Sequence, residues 1–287
     1  MDRKQWIAFL GLSLVWGSSF LFIKIALEEV GPFTLAGTRV LIGAIALTIT
    51  AVMTKAKWDL SREQYINLIV IGFANTALPF FLISWGEILV DSSVASILNG
   101  TVPLFVAILA YFWLRDEQLS SNKLVGMLIG FIGVVLVMAR DGLAGFQFNI
   151  QSQLAILLAA VSYAFSSVYI RKKTPGIPFV VQAAGSLIFA NFFLWTGAFL
   201  FERPISIPVQ SQTWFALVWL GLAGSYIAYL LYFFLLNSAG PSRSVMVTYI
   251  MPVVGVVLGV LILGERLDLQ LILGTILVIS SVVVVNR

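Results

Sequence analysis

The sequence predicts an all-α polytopic membrane protein of ten transmembrane helices arranged as two inverted five-helix repeats. Three observations predict it. Composition is the first: 60% of the 287 residues are hydrophobic and 10% are charged, with a mean hydropathy of +1.01. Soluble domains carry about a quarter charged residues, and this apolar excess is too large for one globular core. Apolar runs separated by short charged or turn-rich links are the second. The third is that the second half of the chain repeats the first.

The runs fall at about 6–27, 32–53, 65–89, 92–114, 122–139, 153–170, 179–201, 213–236, 242–263 and 269–285. Each approaches the roughly 20 residues that cross a bilayer as a helix. Strands of a membrane barrel would alternate in hydropathy over about 10 residues, and no such alternation is present. The links, such as 55–63, 115–123, 171–178 and 202–212, are too short to fold alone. The first run follows Asp2, Arg3 and Lys4 but has no small-residue cleavage site after it, so it reads as an uncleaved span. Ten spans place both termini on one side. With the N-terminus inside, twelve Lys and Arg fall on the cytoplasmic side and four (Lys24, Arg140, Arg203, Arg266) on the other. The positive-inside rule then expects both termini in the cytoplasm.

Sliding the chain on itself by about 147 residues brings Trp16 onto Tyr163, Lys24 onto Arg171 and Pro32-Phe33 onto Pro178-Phe179. A slightly longer offset brings Gly72 onto Gly221 and Pro103 onto Pro252, and Glu117 falls on Glu265. The matches are collinear and divide the chain into repeats at 1–146 and 147–287. Five spans per repeat is an odd number, so the second repeat enters the membrane inverted. Inverted repeats of this kind place a site near the midplane, between the halves, in alternating-access carriers.

Several of these features resemble the EamA family of the drug/metabolite transporter superfamily. They are Trp16-Gly17 in the first span, Arg39 early in the second, and the Pro103…Glu117 and Pro252…Glu265 pairs that close each repeat. Gly264-Glu265-Arg266-Leu267 is especially typical. The resemblance covers nearly the whole chain. It implies a carrier in the prokaryotic inner membrane for small organic metabolites such as amino acids, often an exporter, working by alternating access. Proton-driven efflux of drugs or cations, and flipping of a lipid-linked substrate, are the alternatives.

Residues that could form the site follow from helix chemistry. A proline inside a helix frees the carbonyl four residues earlier. For Pro79, Pro103 and Pro252 those residues are Asn75, Asn99 and Thr248, all polar. A polar central cavity is one reading and hydrogen bonding between packed helices is the other. Thr101 and Ser19 belong to the same polar set. Trp16, Tyr163, Tyr226, Tyr229 and Tyr249 add rings with polar tips, suited to an amphipathic or aromatic solute. Arg39 reads as a charge partner or anion contact, or else as a side chain that snorkels to the headgroups or caps a neighbouring helix end, and the second reading is preferred. Glu87, near the end of the third span, is the one acid placed to titrate inside the membrane. Glu117 and Glu265 end spans and read as helix caps or gates. Stripes at Gly126, Gly130 and Gly133, and at Gly255 and Gly259, favour packing within the bundle, so a monomer is preferred and a homodimer stays open.

The chain has no Cys and no His. No cofactor or metal is expected, and an intramembrane enzyme lacks its nucleophile, base and metal constellation. The net charge of +4 sits mostly in links and reports orientation, so no nucleic-acid partner is expected. A flippase would need several cations for a phospholipid-sized head, and a receptor would bring a soluble sensing module. Neither feature is present. The expected partners are a small-molecule solute and the lipid bilayer.

Overall fold

Apolar residues surround most of these helices, and the fold buries one side of each and leaves the other apolar side outward. The computed structural model describes residues 2–114, 121–140, 142–174, 176–239 and 247–285, all helix and links with no strand among them. The helices are α1 (Arg3–Ala26), α2 (Pro32–Met53), α3 (Arg62–Gly86), α4 (Ser92–Trp113), α5 (Ser121–Met138), α6 (Gly142–Lys173), α7 (Phe179–Phe201), α8 (211–239), α9 (Val247–Leu263) and α10 (Leu269–Val285). The first eight are long and apolar enough to cross a membrane; α9 and α10 are shorter apolar helices. Their outward surface carries Phe131, Phe192 and Leu261, each about 70% exposed (68%, 70% and 76%). Such a surface is stable against lipid and not against water.

Local chemistry sets the starts. Asp2 with Gln5, and Ser61 with Gln64, form reciprocal capping boxes at α1 and α3, and Pro32 opens α2. The three prolines are met in three ways. In α3 the turn before Pro79 widens: Gly72–Ala77 is π-helical, and the Leu78 N–H reaches the Phe73 carbonyl. In α4 the helix stops at Asn99 and restarts at Val102, with Pro103 in the first turn of the new segment. In α9 the helix runs through Pro252 unbroken. A second π-helical turn, Leu222–Ile227, lies at the corresponding place in α8, where there is no proline.

The pairing of the helices is symmetric. α1 packs on α8 and α9, as α6 packs on α3 and α4; α2 packs on α8, as α7 packs on α3. α2 with α7, α4 with α9, and α5 with α10 form the remaining major pairs. Exchanging helices 1–5 with 6–10 carries each of these pairs onto another or onto itself. The glycine stripe of α5 meets α10, inside the bundle. A Cβ on Gly126 would lie 2.5 Å from Val285 Cγ2 and 2.9 Å from the Ser281 carbonyl oxygen. The carbonyl belongs to a helix backbone and cannot step aside. Gly126→Val is therefore expected to destabilise the protein by about 1–3 kcal/mol, read as a lower melting temperature in detergent.

Candidate functional site

The most unusual side chain in the interior is Arg39. It lies about two turns into α2 and is 5% exposed. Its guanidinium lies over the Phe80 ring of α3, 4.0 Å from the centroid. A Cβ on Gly224, in the π-helical turn of α8, would sit 3.3 Å from one guanidinium nitrogen and 3.2 Å from Ser19 Oγ of α1. Tyr163, Tyr229 and Glu87 are the titratable groups that face it. Arg39 Nε has no hydrogen-bond partner, and no acid forms an ion pair with Arg39 among the described residues. The preferred sequence reading, snorkelling toward headgroups, is thus corrected: the side chain turns into the bundle, where a ring face and a glycine leave room for it.

Other expected site residues gather around this centre. Asn75 Nδ2 donates to the Tyr229 hydroxyl at 3.4 Å, joining α3 to α8. Tyr163, Tyr226 and Tyr229 pack on the same apolar cluster as Phe80, and Thr50 Oγ1 reaches the Tyr226 hydroxyl at 3.0 Å. Trp16 lies 5.7 Å from Tyr232, ring to ring. Asn99, at the break in α4, is 8% exposed and its Oδ1 has no partner. Gly100 beside it receives Pro252 of α9: a Cβ there would be 2.8 Å from Pro252 Cγ. The two repeat-mate prolines therefore mark one close crossing of α4 and α9. Pro79 and Pro103 are buried. Ser19 and Thr101 are buried too, but each hydroxyl returns to its own helix, at Val15 and Leu98. Tyr249 departs from the set. Its hydroxyl donates to the Val282 carbonyl of α10 at 3.1 Å, and its ring packs with Leu104 and Ala107. Thr248 is half-buried.

Sequence reasoning missed Tyr232, Phe80 and the π-helical turns. Tyr232 continues the three-residue spacing of Tyr226 and Tyr229, so that signal was available. Phe80 and the π turns have no signature apart from their neighbours. In the two π turns, hydroxyls meet backbone carbonyls: Ser162 Oγ donates to the Ala74 carbonyl at 2.6 Å, and Ser225 Oγ to that of Leu220 at 3.1 Å.

One end of the bundle is tied by acids. Glu265, in the α9–α10 link, accepts from the Ser92 and Ser93 N–H groups at 2.7 and 2.9 Å and from the Ser93 hydroxyl. It thus caps α4. Of the two readings, cap or gate, the hydrogen bonds show a cap, on a helix of the other half. Glu202 does the same for α2, accepting from Phe33 N–H at 2.7 Å and Thr34 N–H at 2.8 Å. Arg140 bridges Asp91 at 2.9 Å and Asp268, and also donates to the Arg266 carbonyl. Burial pushes the Asp268 carboxyl up, but the Leu271 N–H and Arg140 outweigh it, and the group is held below the usual aspartate range. Lys24 Nζ donates to the Glu87 and Val90 carbonyls at 2.6 and 3.0 Å. Glu117, the sequence mate of Glu265, lies outside the described residues.

Two cavities flank this architecture. One of about 70 Å³ lies beside Asp91, Arg140 and Gln153. Another of about 400 Å³ is an outward groove between α2 and α7, lined by Ile45, Thr48, Asn191 and Phe192 among others. None of the expected solute-contacting residues lines either.

Comparison with known proteins adds a family. The profile of the EamA-like transporter family matches residues 4–139 and again residues 151–287. The chain is similar to the uncharacterized transporter YoaV of Bacillus subtilis (24% identity over 97% of this chain and 95% of that protein). It is also similar to the uncharacterized transporter YdfC of the same organism (30% identity; 93% and 86%). A third relative is the uncharacterized inner membrane transporter YedA of Escherichia coli (28% identity; 91% and 83%). A solved structure superposes with a TM-score of 0.72 over 99% of this chain and 96% of its own, at 20% identity. At that identity the likeness speaks for the fold.

Proposed function

Since the chain belongs to the EamA-like transporter family, we propose that this membrane protein carries small organic solutes, amino acids or related metabolites, across the prokaryotic inner membrane by alternating access, in the export direction. The observation that carries the reading is Arg39. An unpaired cation deep in a membrane bundle is functional by default, and here it is faced by groups from both halves: Ser19 and Phe80 from the first, Gly224, Tyr163 and Tyr229 from the second. In this reading the guanidinium receives an acceptor on the solute, such as a carboxylate. Trp16, Tyr163, Tyr229 and Tyr232 supply apolar walls, and Asn75 and Asn99 supply hydrogen bonds.

The symmetric helix pairing and the two family matches, one per half, support ten spans in two five-helix repeats. An odd number of spans per repeat makes the second inverted, and exchange of the two halves' conformations then turns the site from one side to the other. The excess of Lys and Arg in alternate links supports cytoplasmic termini. The acid-tied end then faces away from the cytoplasm.

The experiment is exchange of radiolabelled amino acids in proteoliposomes. Trp16→Ala and Asn99→Leu are each expected to lower exchange by at least about five-fold, an effect of roughly 1 kcal/mol, with the melting temperature retained. Unchanged exchange in both variants would remove these residues from the site.

A further inference from the structure

Glu87 follows the last turn of α3 and is 0% exposed. Neither of its carboxyl oxygens has a hydrogen-bond partner. Other described acids at this end of the bundle are engaged: Glu265 and Glu202 on helix N-termini, Asp91 and Asp268 on Arg140, and Glu29 on the Gln210 N–H. Lys24 makes no ion pair with Glu87 among the described residues. Lys24 directs its ammonium to the backbone carbonyls of Glu87 and Val90, across the end of α3, where a helix's carbonyls attract positive charge. Lys24 from α1, Glu265 from the α9–α10 link and Arg39 from α2 are the charged groups that face the carboxyl, and one of the three repels it. From α6, Ile156 and the Ser152 carbonyl press against the neighbouring Gly86. A carboxylate here would be a fully buried charge with no hydrogen-bond donor and no ion pair among the described residues, whereas a protonated carboxyl avoids that penalty.

We propose that Glu87 is a proton-binding site and that the protein moves protons together with its solute. The coupling half rests on the carrier reading above. Position supplies the link. Glu87 lies four residues before Asp91, which Arg140 ties to Asp268, and five before Ser92, which Glu265 caps. Parting these helices admits water to Glu87, and the carboxyl releases its proton to that water. Closing them again requires a proton back, because the closed interior holds only the neutral acid. Proton occupancy and closure of this end are therefore two sides of one equilibrium.

An apolar carbodiimide tests the proton directly, since it adds only to a protonated carboxyl and leaves a stable N-acylurea that peptide mass spectrometry locates. In lipid nanodiscs at neutral pH, dicyclohexylcarbodiimide is expected to label Glu87 and to spare the exposed Glu28 and Glu63. The label should fade as pH rises, approaching about ten-fold per unit once the acid ionises. Glu87→Gln copies the neutral acid in shape, so it should keep the melting temperature while losing the label. Glu87→Asp keeps a titratable group and serves as a second folded variant. In proteoliposomes, a pH gradient should drive accumulation of radiolabelled amino acids by the wild type and not by Glu87→Gln, while exchange without a gradient persists in both. An unlabelled Glu87 in folded protein, or equal gradient-driven accumulation by the two proteins, overturns the proposal. Absence of exchange from the wild type instead sinks the carrier reading and with it the coupling, while the labelling still decides the proton site.

Discussion

Arg39→Met is expected to abolish at least about 90% of solute exchange while leaving the protein as thermostable as before, or more so. Two effects compete for the sign of the stability change. The guanidinium gains cation–π attraction from Phe80 at 4.0 Å, worth about 0.5–2 kcal/mol. Against this stands the burial of an ion with an unpaired Nε and no acid in ion-pair reach among the described residues, a penalty of several kcal/mol. Methionine of similar length removes the penalty and keeps apolar contact with the ring. The measurement is a melting curve beside amino-acid exchange in proteoliposomes. A variant that melts lower and exchanges at the wild-type rate would make Arg39 a structural brace between α2, α3 and α8, and the solute site would have to be sought elsewhere.

Glu265→Ala is expected to open the acid-tied end. Three donors at the start of α4 share this one carboxylate. Alanine leaves the Ser92 and Ser93 N–H groups unmet whenever the end is closed, and loses the favourable placing of negative charge at a helix N-terminus. The loss is about 1–2 kcal/mol, which raises the population of open conformers by roughly five- to thirty-fold. The absence of cysteine from the chain makes this measurable. A single Asn99→Cys, placed at the break in α4, would be the sole thiol, and its modification by a membrane-impermeant maleimide from the α9–α10 side should rise by that factor in the Glu265→Ala background. If the rate does not change, Glu265 is a cap for α4 and no part of a gate. Comparison with Glu202→Ala, which uncaps α2 at the same end, tells whether the effect belongs to α4 or to any helix start tied there.

Much was legible in the sequence because it depends on local composition and on repeated spacing. A membrane interior leaves a helix no polar alternative for its backbone, so the runs at 179–201 and 269–285 could be read to the residue. Spacing alone matched Pro103 with Pro252, and the structure finds these two prolines at one crossing of α4 and α9. Of the polar residues four before the three prolines, Asn99 is buried, and Asn75 and Thr248 are half-buried. Other features were settled only when helices met. Whether Pro252 breaks its helix as Pro103's neighbourhood does depends on what fills the gap, and no local rule distinguishes them. Arg39 has the same sequence signature whether it snorkels or turns inward; Phe80 and Gly224, from two other helices, decide it. Glu265 caps a helix start 173 residues earlier in the chain, and Lys24 donates to the backbone carbonyls of Glu87 and Val90 while the Glu87 carboxyl oxygens accept no hydrogen bond. Periodicity and charge count determined that this chain crosses a membrane in repeated helices, because those are properties of each segment with its solvent. Which charges go unpaired is a property of several segments at once, so only the packed bundle could decide it.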